Sequence, residues 1–399
     1  MSNQESCSEN TAVFVRVASK LVSAITASLL ALTSCSTSET PTRDTLELEL
    51  AASFAEGLGY LSTVRELSDG RVLFADPLGQ VLVVWNPEVG TADTLGRMGS
   101  GPSEYRQPDA VFALPADSTL VVDLGNTRLI AVGPDGSFGE TIQIMRPQPE
   151  GFPMNIMPRF TDGRGRIYFY LSANRRGAMA DSAFIGRFDR GSETVDTVGV
   201  LRVPIPEFER VGDNMIMTRG PLMPRDDWAV SLDGSLAIVR AMDYSVEWVL
   251  STGGAVHGTP VDYTHVLVGL DEQERWADEA QANMMQLTAV SSGSGGVSNV
   301  EMRRGGGSRW DVTAIQWPDE MPPVHEDRAK VSYDNNLWAE RNVSVGVDPV
   351  IDVFDTAGSR IFEAHLPPRS RVVGFGDGAV YLATADEFDL QWLGKYRIH

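Results

Sequence analysis

The chain has 399 residues, 42% of them apolar, with 38 glycines and 22 prolines, so it can bury a large core but must turn often. A formal charge of −21 argues against a nucleic-acid backbone or an anionic membrane face as a partner. The two cysteines, Cys7 and Cys35, lie near the N-terminus and leave the main body without a disulfide, a thiolate metal site or a cysteine nucleophile.

Arg16 and Lys20 precede a short apolar run over residues 21–32, the length of a signal-peptide core and too short to span a bilayer comfortably. It ends in Leu32-Thr33-Ser34-Cys35, which resembles a bacterial lipobox. The resemblance implies cleavage before Cys35 and lipidation of its thiol, with enough acyl chains for stable attachment. Residues 1–34 are then a signal peptide, and residues 35–45 a polar tether. The address expected is the cell envelope, on the extracytoplasmic side.

The body, residues 46–399, repeats one grammar: a turn with Asp, Asn or Gly, then a short apolar strand. Asp69-Gly70, Asp117-Ser118, Asp162-Gly163, Asp233-Gly234, Asp334-Asn335 and Asp377-Gly378 each precede such a strand, which makes six copies. The steps from 69 to 117, 117 to 162 and 334 to 377 match the ~40–50 residues of one propeller blade. The steps 162 to 233 and 233 to 334 are longer and call for insertions. Prolines precede most units, at 108, 153, 158, 221, 224, 322, 323, 367 and 368, where a fixed φ and a missing donor suit a crossing segment.

The fullest copy spans residues 109–136. Its Asp123-Leu124-Gly125-Asn126-Thr127-Arg128, with Pro134-Asp135-Gly136 after it, resembles the core of an NHL repeat. The preceding Gly96-Arg97-Met98-Gly99-Ser100-Gly101-Pro102-Ser103-Glu104-Tyr105 resembles the link in bacterial six-bladed β-propeller lipoproteins. The fold expected is all-β: a six-bladed propeller with one helical insertion. Asp123 and Asn126 should build a hinge, Gly125 should need a positive φ, and Arg128 should tie adjacent blades.

The last unit is one strand short, and residues 46–50, apolar at every second position, can supply it and seal the ring. Residues 259–310 interrupt the β grammar. A helix is expected over 270–287, started by Asp271 with Glu274 and presenting Trp276, Ala280, Met284 and Leu287 on one face. Ser292-Gly293-Ser294-Gly295 and the glycines at 305–307 read as linkers. Trp228, Trp248, Trp338, Tyr381 and Trp392 are expected to fill the core between blades.

No phosphate-binding loop, helical histidine pair or nucleophile elbow occurs, and the five histidines (257, 265, 325, 365, 399) lack metal-ligand spacing. Propeller sites form where loops converge on the channel. Here those loops carry Glu104, Tyr105, Arg106, Asn155, Arg159, Arg219, Arg225, His325 and Arg369. Clustered arginines would make an anion site on an acidic protein, unless each pairs with a neighbouring carboxylate and braces its blade. Met215-Ile216-Met217 and Met223 could line an adaptable apolar pocket. The leading expectation is a monomeric, non-catalytic module, without catalytic residues or a cofactor, that binds a protein, peptide or glycan. The alternative is a propeller lactonase or lyase with an axial histidine or metal site, Ca²⁺ for instance, drawing on Glu104, Asn155 and His325.

Overall fold

Each of the six turns joins the first two strands of a blade, a four-stranded antiparallel sheet to which blade five adds a short fifth, parallel strand. The computed structural model describes residues 45–147, 154–171, 181–211, 214–283, 285–291, 297–304 and 309–399. Cys35, the signal and nearly all of the tether lie outside them, as do Pro153, Met284, Ser292 to Gly295 and the glycines at 305–307.

The first strands of the blades are Val64–Glu66, Pro108–Ala113, Phe160–Thr161, Asp227–Val230, Lys330–Val331 and Ser370–Gly376. In the first five blades the chain meanders outward through three more strands, and in the sixth through two, with the fourth strand supplied from elsewhere in the chain. The innermost strands of most neighbouring blades touch around an axis. Second strands such as Val72–Asp76 and Thr119–Asp123 are buried throughout their length, because a blade packs both of its faces against neighbours. Six hydrophobic clusters fill the six interfaces; Phe74, Trp85 and Tyr381 meet between blades six and one, for example, and Trp248 meets Phe354 between four and five. Closed this way, the ring leaves the inner sheet edges short and protected from pairing with another chain.

The ring is sealed by the N-terminal strand, in a shifted register. Leu48–Ser53, not residues 46–50, pairs antiparallel with the last strand, Gln391–Ile398. Thr45–Leu46 turns the other way and pairs parallel with Arg360–His365 of blade five. One segment therefore joins both blades, and the Glu47 carbonyl between its two parts accepts from His399 N at 3.1 Å.

The long steps do hold insertions. A hairpin of Glu207–Val211 and Asn214–Arg219 precedes blade four, and the Met215-Ile216-Met217 run lies in it, outside the six blades. The helix Leu270–Asn283 and a second hairpin, Met285–Ser291 with Val297–Arg304, precede blade five. The helix is shorter than expected, since Leu287 belongs to the hairpin. Its N-terminal box also starts earlier: the Glu272 carboxylate accepts from Gly269 N at 3.1 Å, while Glu274 pairs with Arg309. Trp276 packs against Trp310 and Trp317. Among the described residues no helix is long and apolar enough to cross a membrane. Trp392 is a second departure, 39% exposed, with its indole N–H donated to Asp386. Strand alternation turns Leu393 inward and Trp392 outward.

Side chains at the ends of second strands fix the incoming crossovers. Asp123, fully buried, accepts from the backbone N–H of Arg106 at 3.0 Å and Gln107 at 3.1 Å. Asp76 does the same in blade one for Gly59 at 2.8 Å and Tyr60 at 3.2 Å. In blade five Asn342 donates to the carbonyls of Pro322 and Val324 at 2.9 and 2.8 Å. Blade four reverses the roles, with Asp226 on the crossover accepting from Ala241 N at 3.1 Å. Gly125 does not have a positive φ; Thr127 does, at 54°. Glycine is needed there because a Cβ would lie 2.5 Å from the Arg106 Cβ. Arg128 donates to Asp123 at 3.1 Å and to the Glu104 carbonyl at 2.8 Å, tying its strand to the crossover from blade one.

Asp123→Ala strands two backbone donors and the Arg128 guanidinium, and should cost about 3 kcal/mol in urea unfolding. Gly125→Ala should destabilise through the clash alone, while Thr127→Gly, which relieves a left-handed residue, should be neutral or stabilising.

Candidate functional site

Three crossovers meet at one end of the axis, those entering blades three, four and five. Arg159, just before the innermost strand of blade three, is 13% exposed and forks between Asp227 of blade four and Asp327 of the next crossover. Its guanidinium lies 5.4, 5.2 and 5.1 Å from the ring centres of Phe160, Tyr170 and Trp228. The Tyr170 hydroxyl donates to Asp327 at 3.1 Å. Arg225 also lies over Tyr170, 5.4 Å from its ring centre, and reaches Glu326 at 3.2 Å.

Asp227 is 1% exposed and saturated: besides Arg159 it accepts from the backbone N–H of Trp228, Arg328 and Ala329 at 2.8, 3.0 and 2.7 Å. Burial pushes the Asp327 carboxyl up, but the Arg159 and Arg225 guanidiniums outweigh it and hold the group below the usual carboxylate range. Burial pushes the Tyr170 phenol up against the pull of Arg159, so it remains a donor.

Lys330 opens the innermost strand of blade five and is half-buried. Its ammonium has no hydrogen-bond or ion-pair partner among the described residues. The charges that act on its ammonium are those of Arg159, Arg371 and Arg328, with Asp227, carried by blades three to six or the crossovers into them. Burial together with the three guanidiniums pushes the ammonium down to about 7, and Asp227 offsets only part of this. Part of its surface still meets solvent. Arg371 bonds the Leu61 carbonyl and Gln391 and lies 5.4 Å from the Tyr60 ring centre. Across the ring, on blade two, burial pushes the Asp109 carboxyl up despite the Ser62 hydroxyl at 2.8 Å.

Of the residues singled out in the sequence, Arg159 and Arg225 meet here, with His325 beside Asp327. The others are held by separate neighbours. Glu104 binds Arg97 at 2.9 Å and Gly101 N at 2.7 Å, and that amide and Arg97 keep its carboxyl below the usual range. Tyr105 is buried, with its hydroxyl donated to the Leu95 carbonyl, and Arg106 reaches Ser100 at 2.9 Å. Asn126 bridges Asp123 and the Gly99 carbonyl. Asn155 accepts from Met157 N, Arg219 pairs with Glu207, and Arg369 pairs with Asp389 at the rim of blade six. His325 lies 4.0 Å from Glu279 of the helix, and each other histidine likewise neighbours a glutamate. Among the described residues no three His, Cys, Asp or Glu side chains converge on a cation position, and Asp227 is already filled by protein donors. Asp227, Asp327, Tyr170, Lys330 and Arg371 escaped the sequence reading. The only local trace was a lysine opening a strand in a chain with three lysines.

No protein-family model matches this chain, and no curated protein does. Its likeness is to solved structures alone. A putative gluconolactonase shares 12% identity over 90% of this chain and 95% of its own, with a TM-score of 0.43. A streptogramin B lyase shares 13% over 89% and 98%, at 0.41. A putative exported protein from Bacteroides fragilis shares 12% over 89% and 95%, at 0.44. Such likeness concerns the path of the chain; the six blades rest on the sheets described above.

A lysine depressed in the folded state and ordinary when unfolded leaves the unfolded chain holding more protons above about pH 7. Its contribution to stability therefore improves as pH rises from about 7 toward 10. Lys330→Met removes that contribution, so the variant's stability advantage over the parent in urea unfolding should shrink across that window. An advantage that stays constant from pH 6.5 to 10 would contradict the placement of Lys330.

Proposed function

We propose that this chain is an exported, lipid-anchored propeller that binds a small carboxylate-bearing ligand at the channel mouth. The observation that carries the reading is Lys330: a half-buried ammonium on the innermost strand of blade five, without a partner among the described residues, directly after the Arg328 and Ala329 amides that close on Asp227 beside Arg159. A bound anion gives that ammonium a partner, and the planar donor groups nearby suit a carboxylate. The chain's net charge of −21 makes this group of basic side chains a local feature, suited to a small anionic ligand. The anchored address rests on the lipobox-like residues ending at Cys35. The rival lactonase or lyase reading has no converged cation or histidine set among the described residues to draw on. Stoichiometric Ca²⁺ in the purified protein would favour that rival.

Calorimetry with succinate and glutarate tests the binding. At least one should bind, more weakly as salt increases, and Lys330→Met should weaken it by about tenfold or more, the scale of one charge-assisted bond. Failure of every small carboxylate to bind would overturn the reading. The anchor is tested separately: radiolabelled palmitate should label the parent and not Cys35→Ala.

A further inference from the structure

We infer that a second cavity, built by the outer strands of blade four, binds a monoanionic sugar acid such as a uronate. It shares no residue with the channel mouth and does not depend on the reading given for that site.

The cavity has a volume of about 320 Å³, at the small end of the range for small-molecule sites (about 300–1,000 Å³). Arg202, which ends the outermost strand of blade three, lines one side. Arg240, Asp243, Ser245 and Glu247 line it from the second strand of blade four, the turn after it and the third strand. His257 closes the outermost strand of that blade.

One buried carboxylate fixes the cationic side. Asp226, 1% exposed, accepts from Arg202 N at 2.9 Å, from the Arg240 guanidinium at 2.7 Å and from Ala241 N at 3.1 Å. Arg240 is fully engaged, since it also donates to Glu247 at 2.6 and 3.0 Å and to the Val200 carbonyl at 3.1 Å. The Arg202 guanidinium, by contrast, lines the cavity with no hydrogen-bond or ion-pair partner among the described residues. The opposite wall cannot shift freely. Gly258 donates to the Val246 carbonyl at 2.8 Å, and a Cβ on it would lie 2.4 Å from the Gly358 carbonyl oxygen of blade five.

This lining selects by chemistry. A free guanidinium grips a carboxylate with two parallel bonds. No Phe, Tyr or Trp lines the cavity, so the rest of the ligand must be polar rather than apolar. Ser245 donates to Asp243 at 3.0 Å, and Asp243 and Glu247 offer carboxylate oxygens that accept from hydroxyl groups and repel a second negative charge. His257, 3.9 Å from Glu247, adds a ring nitrogen at the rim. One carboxylate on a polyhydroxylated ring satisfies both sides, whereas a dicarboxylate or a phosphate dianion does not.

The test is calorimetry on the full chain with glucuronate, glucose and glucose 6-phosphate. Glucuronate should bind at one site per chain, at least about tenfold tighter than either other sugar, the scale of one charge-assisted bond. Saturating succinate should leave that affinity unchanged. Arg202→Met should bring glucuronate down to the affinity of glucose, and Asp243→Asn should weaken both. Both side chains are exposed, so neither substitution threatens the fold. Displacement of glucuronate by succinate would assign it to the channel mouth and overturn this site. Equal binding of glucose, tighter binding of glucose 6-phosphate, no binding of glucuronate, or indifference to either substitution would overturn it as well.

Discussion

The fold depends on a polar clamp at the end of a blade's second strand. Crossovers between blades are irregular backbone, and their N–H and C=O groups must be satisfied where they dip toward the axis. Asp76, Asp123 and Asn342 do this from the blade, and Asp226 from the crossover itself. The blades are stacked by nonspecific apolar contact, which alone would let the crossovers wander. The clamps set where each crossover stops, and so which side chains reach the channel mouth.

At that mouth charges from several blades are held close together. Arg159 is enclosed by Phe160, Tyr170 and Trp228 and tied to Asp227 and Asp327, so its charge is fixed in position. Lys330 still feels that charge. Replacing Arg159 by a neutral residue would therefore loosen the aromatic packing, release Asp227 and change the proton affinity of Lys330 at once, and single substitutions there will not be additive.

What could be read from the sequence was what is local. All six turns lie between first and second strands, because a two-residue reversal with Asp, Asn or Gly is decided by its own φ and ψ. The closing strand was found but misplaced by two residues, since the alternation continues through Leu46 and Leu48 and only the partner strand selects the register. Gly125 was assigned to the wrong cause because the Arg106 Cβ that crowds it is distant in sequence. Bracing was the common fate of the arginines, as pairwise charge balance suggests. The charge cluster itself was not legible: Arg159, Asp227, Lys330 and Arg371 come from four blades, and no spacing rule links positions that only a closed ring brings together.

The seam has a consequence for how the ring comes into being. Its two partners sit at opposite ends of the body, Leu48 against Ile398, with Thr45 and Leu46 waiting on blade five. A ribosome or translocase delivering the chain from its N-terminus presents the sealing strand first and its partner last. Blades one to four can assemble on one another as they emerge, but closure has to bridge almost the whole chain, the most entropically demanding contact in the molecule. Until then the strand at residues 48–53 has an open edge and an apolar face without a partner. Whatever holds the nascent chain must cover that strand longer than any other.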